Sequence, residues 1–473
     1  MKRLIPLIVI CGAILVVMVQ GCALHQIRSA QMNTQIPEVY GAAQAQTAQP
    51  QGNAKWWLTF NDPQLNALMD KAFEHNLDLA QYVARLRQAL ALSRQRQADR
   101  LPSINLEGSA GRSQQVTVAG EAVGNRYGYS LAAGYEVDLW RKVSSRARAR
   151  SLEAGATRQD LHALYLTLSA QVADNYFILV EQRARLRLID QTIAARSENL
   201  ELAELRYREG MVSALDLYQA RQNLANARSQ RPDVEATLAT TAHALAVLTG
   251  GYPTQTIGGP LDELPDLPDA FPLGLPSELL RQRPDIQAAM LRLEAGDYDI
   301  AVAVADRFPS INLVADYGYT KTDAGSVLSG TVWDLVANLT MPLVDFNRRK
   351  AEVERTEAVY AERLAAYQHT VLAAFQEVED ALVANRQSKQ AIARISAEVL
   401  AAEDALRLSK AEYTDGLSTY LPVLTAQTTH FDSQTRLLTA RRRLISARIS
   451  LARALGGHWM TDMVQERLQA KNH

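Results

Sequence analysis

Across its 473 residues this chain lacks most of what catalysis and nucleic-acid binding require. Cys11 and Cys22 are the only cysteines, too few for a disulfide scaffold or a cysteine-held metal centre. The eight histidines are scattered, with no pair at His-x-x-x-His spacing. No glycine-rich phosphate loop and no serine nucleophile elbow occurs. The expectation is therefore no metal, no cofactor and no enzymatic activity. Fifty Lys and Arg stand against 51 Asp and Glu, so no net basic field gathers nucleic acid. Aromatics make up 6% of the chain while Ala, Leu, Gln and Arg abound, the bias of long helices. Proline is missing between Pro102 and Pro232 and between Pro342 and Pro422, which leaves both stretches free of the strongest helix breaker.

What is present is a duplication. Arg100-Leu101-Pro102-Ser103-Ile104-Asn105-Leu106 returns as Arg307-Phe308-Pro309-Ser310-Ile311-Asn312-Leu313, 207 positions on. At that offset Asp78 meets Asp285, Arg85 meets Arg292 and Asp138 meets Asp345. Further along the offset becomes 206, where Tyr207, Gly210 and Gly250-Gly251 meet Tyr413, Gly416 and Gly456-Gly457. A period of this length is far beyond the roughly 20–50 residues of a solenoid repeat. It indicates two similar halves of one pseudo-symmetric subunit.

Met1-Lys2-Arg3 and the apolar run Leu4 to Val19 form the charged and apolar regions of a secretory signal. Pro6 and Gly12 interrupt the run, and it is short of the ~20 residues of a membrane span, so export is favoured over a spanning helix. Val19-Gln20-Gly21-Cys22 resembles a bacterial lipoprotein signal. By that resemblance Cys22 becomes the lipidated first residue of the mature chain, and Ala23 after it points to the outer membrane. With Cys11 removed and Cys22 acylated, no disulfide can form.

After Pro102 the period changes from about 3.6 to 2. Tyr127, Tyr129, Leu131, Ala133, Tyr135, Val137 and Leu139 alternate with Gly128, Ser130, Gly134, Glu136 and Asp138. Ile104-Leu106-Gly108-Ala110 begins a partner, and the second half repeats the pair at Ile311-Leu313-Ala315-Tyr317-Tyr319 and Trp333-Leu335-Ala337-Leu339-Met341-Leu343. A half-buried sheet in a soluble domain would alternate in the same way. The strands exceed the mean of about 5–6 residues, carry aromatics near their ends and follow an export signal, so a membrane-crossing sheet is at least an equal reading. On that reading Tyr127, Tyr129, Tyr135, Tyr317, Tyr319 and Trp333 face lipid. Four strands cannot close a barrel, which takes about eight. Two copies would give about eight strands and a filled interior; three would give about twelve and a water-filled passage. A trimer is the smallest assembly with a pore.

Long helices follow each strand pair. Leu161, Leu164, Leu168, Val172, Tyr176, Leu179, Leu186, Ile189, Ile193 and Leu200 recur at about 3.5 residues, and Val353, Tyr360, Leu364, Tyr367, Val371, Phe375, Val378 and Leu382 do likewise, as a coiled-coil seam requires. Helices over 143–208 and 349–412 would each be about 100 Å long. Their plain reading is a solvated spacer, their sharper one the wall of a tube. Each ends at a glycine that accepts a left-handed conformation, Gly210 and Gly416. Ser213 and Asp216 form a capping-box pair for the returning helix, which the second turn, with Thr419 and Pro422, lacks. Pro232 should kink its helix. The basic cluster Arg141, Lys142, Arg146, Arg148 and Arg150 reads first as a solvated helix face and second as a contact for lipid headgroups or a neighbouring subunit.

The plan these features predict is a signal over 1–21, a lead without chemical signal over 22–55, a first repeat over 56–255, a Pro/Gly surface linker over 256–275, a second repeat over 276–460 and a polar, uninformative tail over 461–473. The first repeat would place strands at 103–140 between helices at 62–100 and 143–249; the second would place strands at 310–345 between helices at 277–307 and 349–455.

Trp56-Trp57 with Phe60-Asn61-Asp62-Pro63-Gln64-Leu65, Tyr135-Glu136-Val137-Asp138-Leu139-Trp140, Arg283-Pro284-Asp285-Ile286-Gln287-Ala288-Ala289, Phe308-Pro309-Ser310 and the two Tyr-x-x-Gly turns together resemble the TolC-like outer-membrane factors, in their NodT-type lipoprotein branch. The resemblance covers about residues 56–457. It implies a mainly α fold with membrane strands, a homotrimer with a twelve-stranded barrel, a helical periplasmic tunnel and an inner tip that opens when a periplasmic adaptor docks. The protein would then be the passive exit duct of a tripartite pump, with an inner-membrane transporter supplying small molecules. At the tip the family pattern matches Gly210, Ser213 and Asp216 in the first half and Gly416, Ser418 and Leu421 in the second. Pro422 and Thr425 stand where many relatives carry acids, which leaves Asp216 as the acidic gate candidate, beside its role as a helix-start carboxylate, and Leu421 as an apolar constriction. Pro342 to Asn347 also lacks the glycine common there. Two other readings remain: the duct of a type I protein-secretion system, and a non-conducting structural lipoprotein that would not need amphipathic strands.

Overall fold

The computed structural model describes residues 25, 26, 28, 40, 41, 55–117, 120–253, 263–265, 267, 276–322 and 330–469. The signal and Cys22 lie outside these residues, as do most of the lead and linker. In the first half of the sequence come α1 (Pro63–His75), α2 (Leu77–Ala98), β1 (Ser103–Thr117), β2 (Gly120–Val137), α3 (Lys142–Arg208) and α4 (Ala214–Leu248). The second half brings α5 (Pro276–Gln282), α6 (Pro284–Ala305), β3 (Ser310–Thr322), β4 (Gly330–Thr340), α7 (Arg348–Thr414) and α8 (Tyr420–Leu455), followed by α9 (Met460–Gln469). Among the described residues the fold is mainly α with one four-stranded sheet. Contacts divide it into two compact units, Met1–Thr34, Ala84–Gln159 and Gln287–Thr370 in one, Gln35–Val83, Asp160–Ile286 and Val371–His473 in the other.

The first unit holds the sheet. Its order is β1-β2-β3-β4, every pair antiparallel, so that the two halves of the sequence join where β2 meets β3. Asp138 begins α3 by accepting the Val143 and Ser144 amides, each at 2.8 Å, and its duplicate Asp345 accepts the Arg349 amide at 3.3 Å. Both are carboxylates at helix starts, where orphan N–H groups need acceptors. Trp140 packs on Phe308 at 5.1 Å between ring centroids and donates its Nε1–H to the Pro309 carbonyl at 2.7 Å. β4 stops at Thr340, short of the predicted Leu343, because Pro342 has no amide for a ladder. The basic cluster is more than a solvated face: Lys142 pairs with Glu136 at 3.1 Å and Asp306 at 3.0 Å, and Arg150 with Asp299 at 3.5 Å. Two described residues of the lead bind here too. His25 meets Asp297 at 2.7 Å, and the Arg28 amide donates to the other Asp297 oxygen at 3.0 Å. The Asp297 side chain is 2% exposed, so both of its oxygens are satisfied in burial by the lead.

The second unit is built on a cluster of rings. Trp57 meets Trp459 edge-to-face at 4.7 Å, Phe60 meets Phe177 at 4.8 Å, and Phe73 lies between Trp57 and Tyr165 at 5.5 Å from each. The expected single helix over 62–100 is two. Asn76 breaks it, its Oδ1 accepting the Leu79 amide at 3.0 Å to start α2 while its Nδ2 donates to the Leu248 carbonyl at 3.0 Å. Pro284 likewise divides the helix expected over 277–307. α4 runs unbroken through Pro232. Buried Arg283 donates to Asp285 at 2.6 Å, Glu377 at 2.8 Å and the Ala454 carbonyl at 3.0 Å. A second piece of the lead binds nearby: the Gly41 amide donates to Glu379 at 2.6 Å, and burial beside Glu379 pushes the Tyr40 hydroxyl up to about 12. Leu264, within the stretch read as a surface linker, is buried.

The tail carries structure that its polarity hid. Met460 and Val464 turn α9 inward beside Trp459, and Arg467 donates to the Phe73 and Glu74 carbonyls at the end of α1. Removing the Trp459 ring should therefore cost about 3 kcal/mol or more. Trp459→Ala is expected to lower the thermal midpoint read by far-ultraviolet circular dichroism; a loss under about 1 kcal/mol would mean that α9 only rests on the cluster.

Candidate functional site

Two places gather the residues singled out from the sequence: one face of the sheet and the pair of helix-joining turns. The register aligns Tyr129 with Tyr319, Leu131 with Tyr317, Tyr135 with Leu313 and Tyr317 with Trp333. Period-2 alternation then puts Tyr127, Tyr129, Tyr135, Tyr317, Tyr319 and Trp333 on one face with Ile104, Leu106, Leu335 and Leu339. Tyr129 and Tyr319 stack at 6.0 Å. Most of this face is open, Trp333 being 75% exposed, whereas Tyr135 is half-buried. The opposite face carries Asn105, Glu107, Ser130, Asn312, Asp316, Asp334 and Asn338. Such a sheet presents apolar surface one way and polar surface the other.

At the turns, Gly210 and Gly416 hold φ of 69° and 73°. The bonds around them are the same twice over. Gly210 N–H donates to Tyr207 at 3.0 Å and Met211 N–H to Arg206 at 2.8 Å; Gly416 donates to Tyr413 at 3.1 Å and Leu417 to Glu412 at 2.8 Å. This is the Schellman arrangement, which satisfies the last carbonyls of a helix. The returning helices then differ. Ser213 and Asp216 form the full capping box, the Asp216 amide donating to Ser213 Oγ at 3.3 Å and the Ser213 amide to Asp216 Oδ2 at 3.1 Å. Thr419 starts α8 with no side-chain cap bond, and Pro422 sits in the first turn, where its missing amide leaves no bond unmade. Ser418 donates to the Thr419 carbonyl at 3.3 Å, and Leu421 is exposed. Leu421 and Pro422 border an open groove of about 560 Å³ with Ala402, Ala405, Thr425 and Thr429.

The residue that links the two turns had no place in the sequence reading. Arg206, in the last turn of α3, donates to the Tyr413 carbonyl at 2.9 Å and the Thr414 carbonyl at 3.0 Å, with its guanidinium 4.6 Å from the centre of the Tyr413 ring. It supplies cationic donors to the final carbonyls of α7, a favourable site for positive charge. Beneath it Tyr413 and Tyr420 meet at 5.5 Å and pack with Ala203, Ala220 and Val423, so α3, α4, α7 and α8 share one small core. A polar layer follows, in which buried Arg196 donates to the Asn223 carbonyl at 2.9 Å and Asn223 to Gln427 at 3.4 Å. Burial lowers the Arg196 pKa and raises that of the Tyr420 hydroxyl. The local signal for Arg206 was slight: it lies one residue before Tyr207, and its duplicate is Glu412. Among the described residues no group of three or more His, Cys, Asp or Glu is arranged to hold a metal ion.

A family model described as outer membrane efflux protein matches residues 68–251 and 275–457. The chain is 31% identical over 426 residues to outer membrane protein OprJ of Pseudomonas aeruginosa, covering 87% of this chain and 88% of that one. It is 29% identical over 461 residues to the toluene efflux pump outer membrane protein TtgC of Pseudomonas putida, covering 95% of each. Among solved structures it is similar to the outer-membrane channel OprN, with a TM-score of 0.86 and 26% identity over 93% of this chain and 100% of that one.

Arg206→Ala should free the last turn of α7. Amide exchange across Ala411 to Leu417, followed by mass spectrometry, is expected to quicken about tenfold, with Arg206→Lys recovering only part of the protection. Unchanged exchange in the alanine variant would remove Arg206 as the link.

Proposed function

The chain belongs to the outer membrane efflux protein family and is an outer-membrane exit duct with periplasmic helices, and we propose that it works as a lipid-anchored homotrimer in a tripartite pump. The observation that carries the trimer is the sheet: four strands, one apolar exposed face, and outer edges on β1 and β4 that have no partner among the described residues. In hydrocarbon an open edge leaves backbone groups unsatisfied at several kcal/mol each. Three copies give about twelve strands and a passage wide enough for water. The six aromatics face lipid, and the Asp316 face lines the lumen. Cys22 carries the acyl anchor. The family match in two stretches supports the division into repeats at 56–255 and 276–460.

Export through the duct is passive; the energy comes from an inner-membrane transporter reached through a periplasmic adaptor. The cargo is small molecules, apolar ones among them, as the toluene pump named above suggests. The turns at Gly210 and Gly416 are the periplasmic tip, where the adaptor docks. Arg206 holds the closed state, the Asp216 carboxylate and the Leu421 side chain narrow the passage, and docking favours the splayed state by binding it more tightly.

Single-channel recording in a planar bilayer tests this reading. The wild type should give discrete low-conductance events, and Arg206→Ala, or Asp216→Ala with Leu421→Ala, should enlarge them. No conductance from a verified folded trimer, in the variants as in the wild type, would sink the duct. Mass spectrometry of the mature protein should show an acylated Cys22, and in Cys22→Ser that mass should be lost; an unmodified Cys22 in the wild type would remove the anchor.

A further inference from the structure

The duplication and the strand register together specify how one copy should meet the next, a step that rests on the trimeric reading above. Within the chain Ser103 pairs with Gly134, and its duplicate Ser310 pairs with Thr340. Ser103 to Ser310 is an offset of 207, while Gly134 to Thr340 is 206. β3 is therefore β1 moved by 207, and β4 is β2 moved by 206. The join of β2 to β3 is the one contact between halves that the chain makes with itself in the sheet. Around a closed ring the same kind of join must recur between β4 of one copy and β1 of the next.

We infer that this seam is antiparallel and carries Leu339 opposite Gly108, Asn338 opposite Ser109, Ala337 opposite Ala110 and Val336 opposite Gly111. These are the in-chain pairs Ala133 with Ala315, Ala132 with Asp316, Leu131 with Tyr317 and Ser130 with Gly318, carried over by the two offsets. The faces agree without adjustment, since Leu339, Ala337, Gly108 and Ala110 all fall on the apolar side and Asn338 and Ser109 on the polar side. A slip of one residue would reverse every face of the partner strand. Slips of two keep the faces, and glycine decides among them.

A Cβ on Gly318 would lie 2.5 Å from the Tyr129 carbonyl oxygen and 2.6 Å from the Ser130 Cβ, so β2 leaves no room for a side chain there. Its duplicate Gly111 stands on the open edge of β1 with nothing within 4 Å. Nothing in the chain itself requires glycine at 111. In the inferred seam Val336 takes the place of Ser130 and the backbone at Leu335 that of Tyr129, and the requirement reappears. Gly108 is the contrast. It too has nothing within 4 Å, but its duplicate is Ala315, which carries a Cβ within the paired sheet.

Paired cysteines in the full-length protein, oxidised in the outer membrane and run without reductant, test the register. Directly opposed residues lie about 4.5–5.5 Å apart at Cα, within disulfide reach, whereas partners two residues off lie about 7–8 Å apart. Ser109→Cys with Asn338→Cys should give a covalent trimer; Ser109→Cys with Val336→Cys or with Thr340→Cys should give about tenfold less. Each single-cysteine variant is the blank. A better bond from either shifted pair would overturn the register and leave the trimer standing. No bond from any pair, while an amine cross-linker still captures trimers, would overturn the β4–β1 seam. Monomer alone would sink the trimeric reading itself. Independently, Gly111→Ala should reduce trimer yield about tenfold with helix content retained, and Gly108→Ala should not; equal behaviour of the two would refute the glycine argument.

Discussion

A strand edge that faces hydrocarbon has no water to fall back on, and the rest of this molecule follows from that. β1 and β4 expose their edges at the two sides of a sheet that is apolar on one face. The chain meets the demand partly within itself, by writing the strand pair twice so that β2 finds β3. The remaining edges, on β1 and β4, have no strand partner among the described residues. Each strand pair then hands over to a long helix within a few residues, at Asp138 and at Asp345, where a carboxylate takes the first free amides.

The features legible in the sequence were those with a local signature. Alternation with period 2 marked the strands, and the glycines at 210 and 416 marked the ends of α3 and α7 because a left-handed residue there has a specific hydrogen-bonding use. What stayed hidden were partners distant in sequence. Nothing near Lys142 announces Asp306, and nothing near Arg206 announces the carbonyls of Tyr413 and Thr414. The lead looked empty because the partners of His25, Arg28, Tyr40 and Gly41, among them Asp297, Glu357 and Glu379, lie hundreds of residues away. α9 was lost for a different reason: Met460 and Val464 are too few for a periodicity, and their meaning lies in the rings they cover. At Asn76 and Pro284 an apolar pattern ran on through residues whose backbone or side-chain chemistry ends a helix.

The halves have also diverged in instructive places. Tyr207 is 44% exposed and Tyr413 is 5% exposed, although both precede the same turn by three residues. Trp140 stacks on Phe308, whereas Leu101, the duplicate of Phe308, is exposed on the chain alone. The first returning helix has a complete capping box and the second begins on proline-assisted backbone. A shared plan fixed the punctuation, and side-chain environments then drifted apart around it.

That drift has a mechanical meaning at the turns. Arg206 ties its hairpin to the other hairpin of the same chain, but its counterpart is Glu412, and a carboxylate cannot donate to carbonyls. In a ring of three copies, the joints at this level would alternate between two kinds, and the arginine clasp would be found only at those inside a chain. Six hairpins of similar outline would therefore move as three blades, each a clasped pair, with the seams between blades as the places of least resistance.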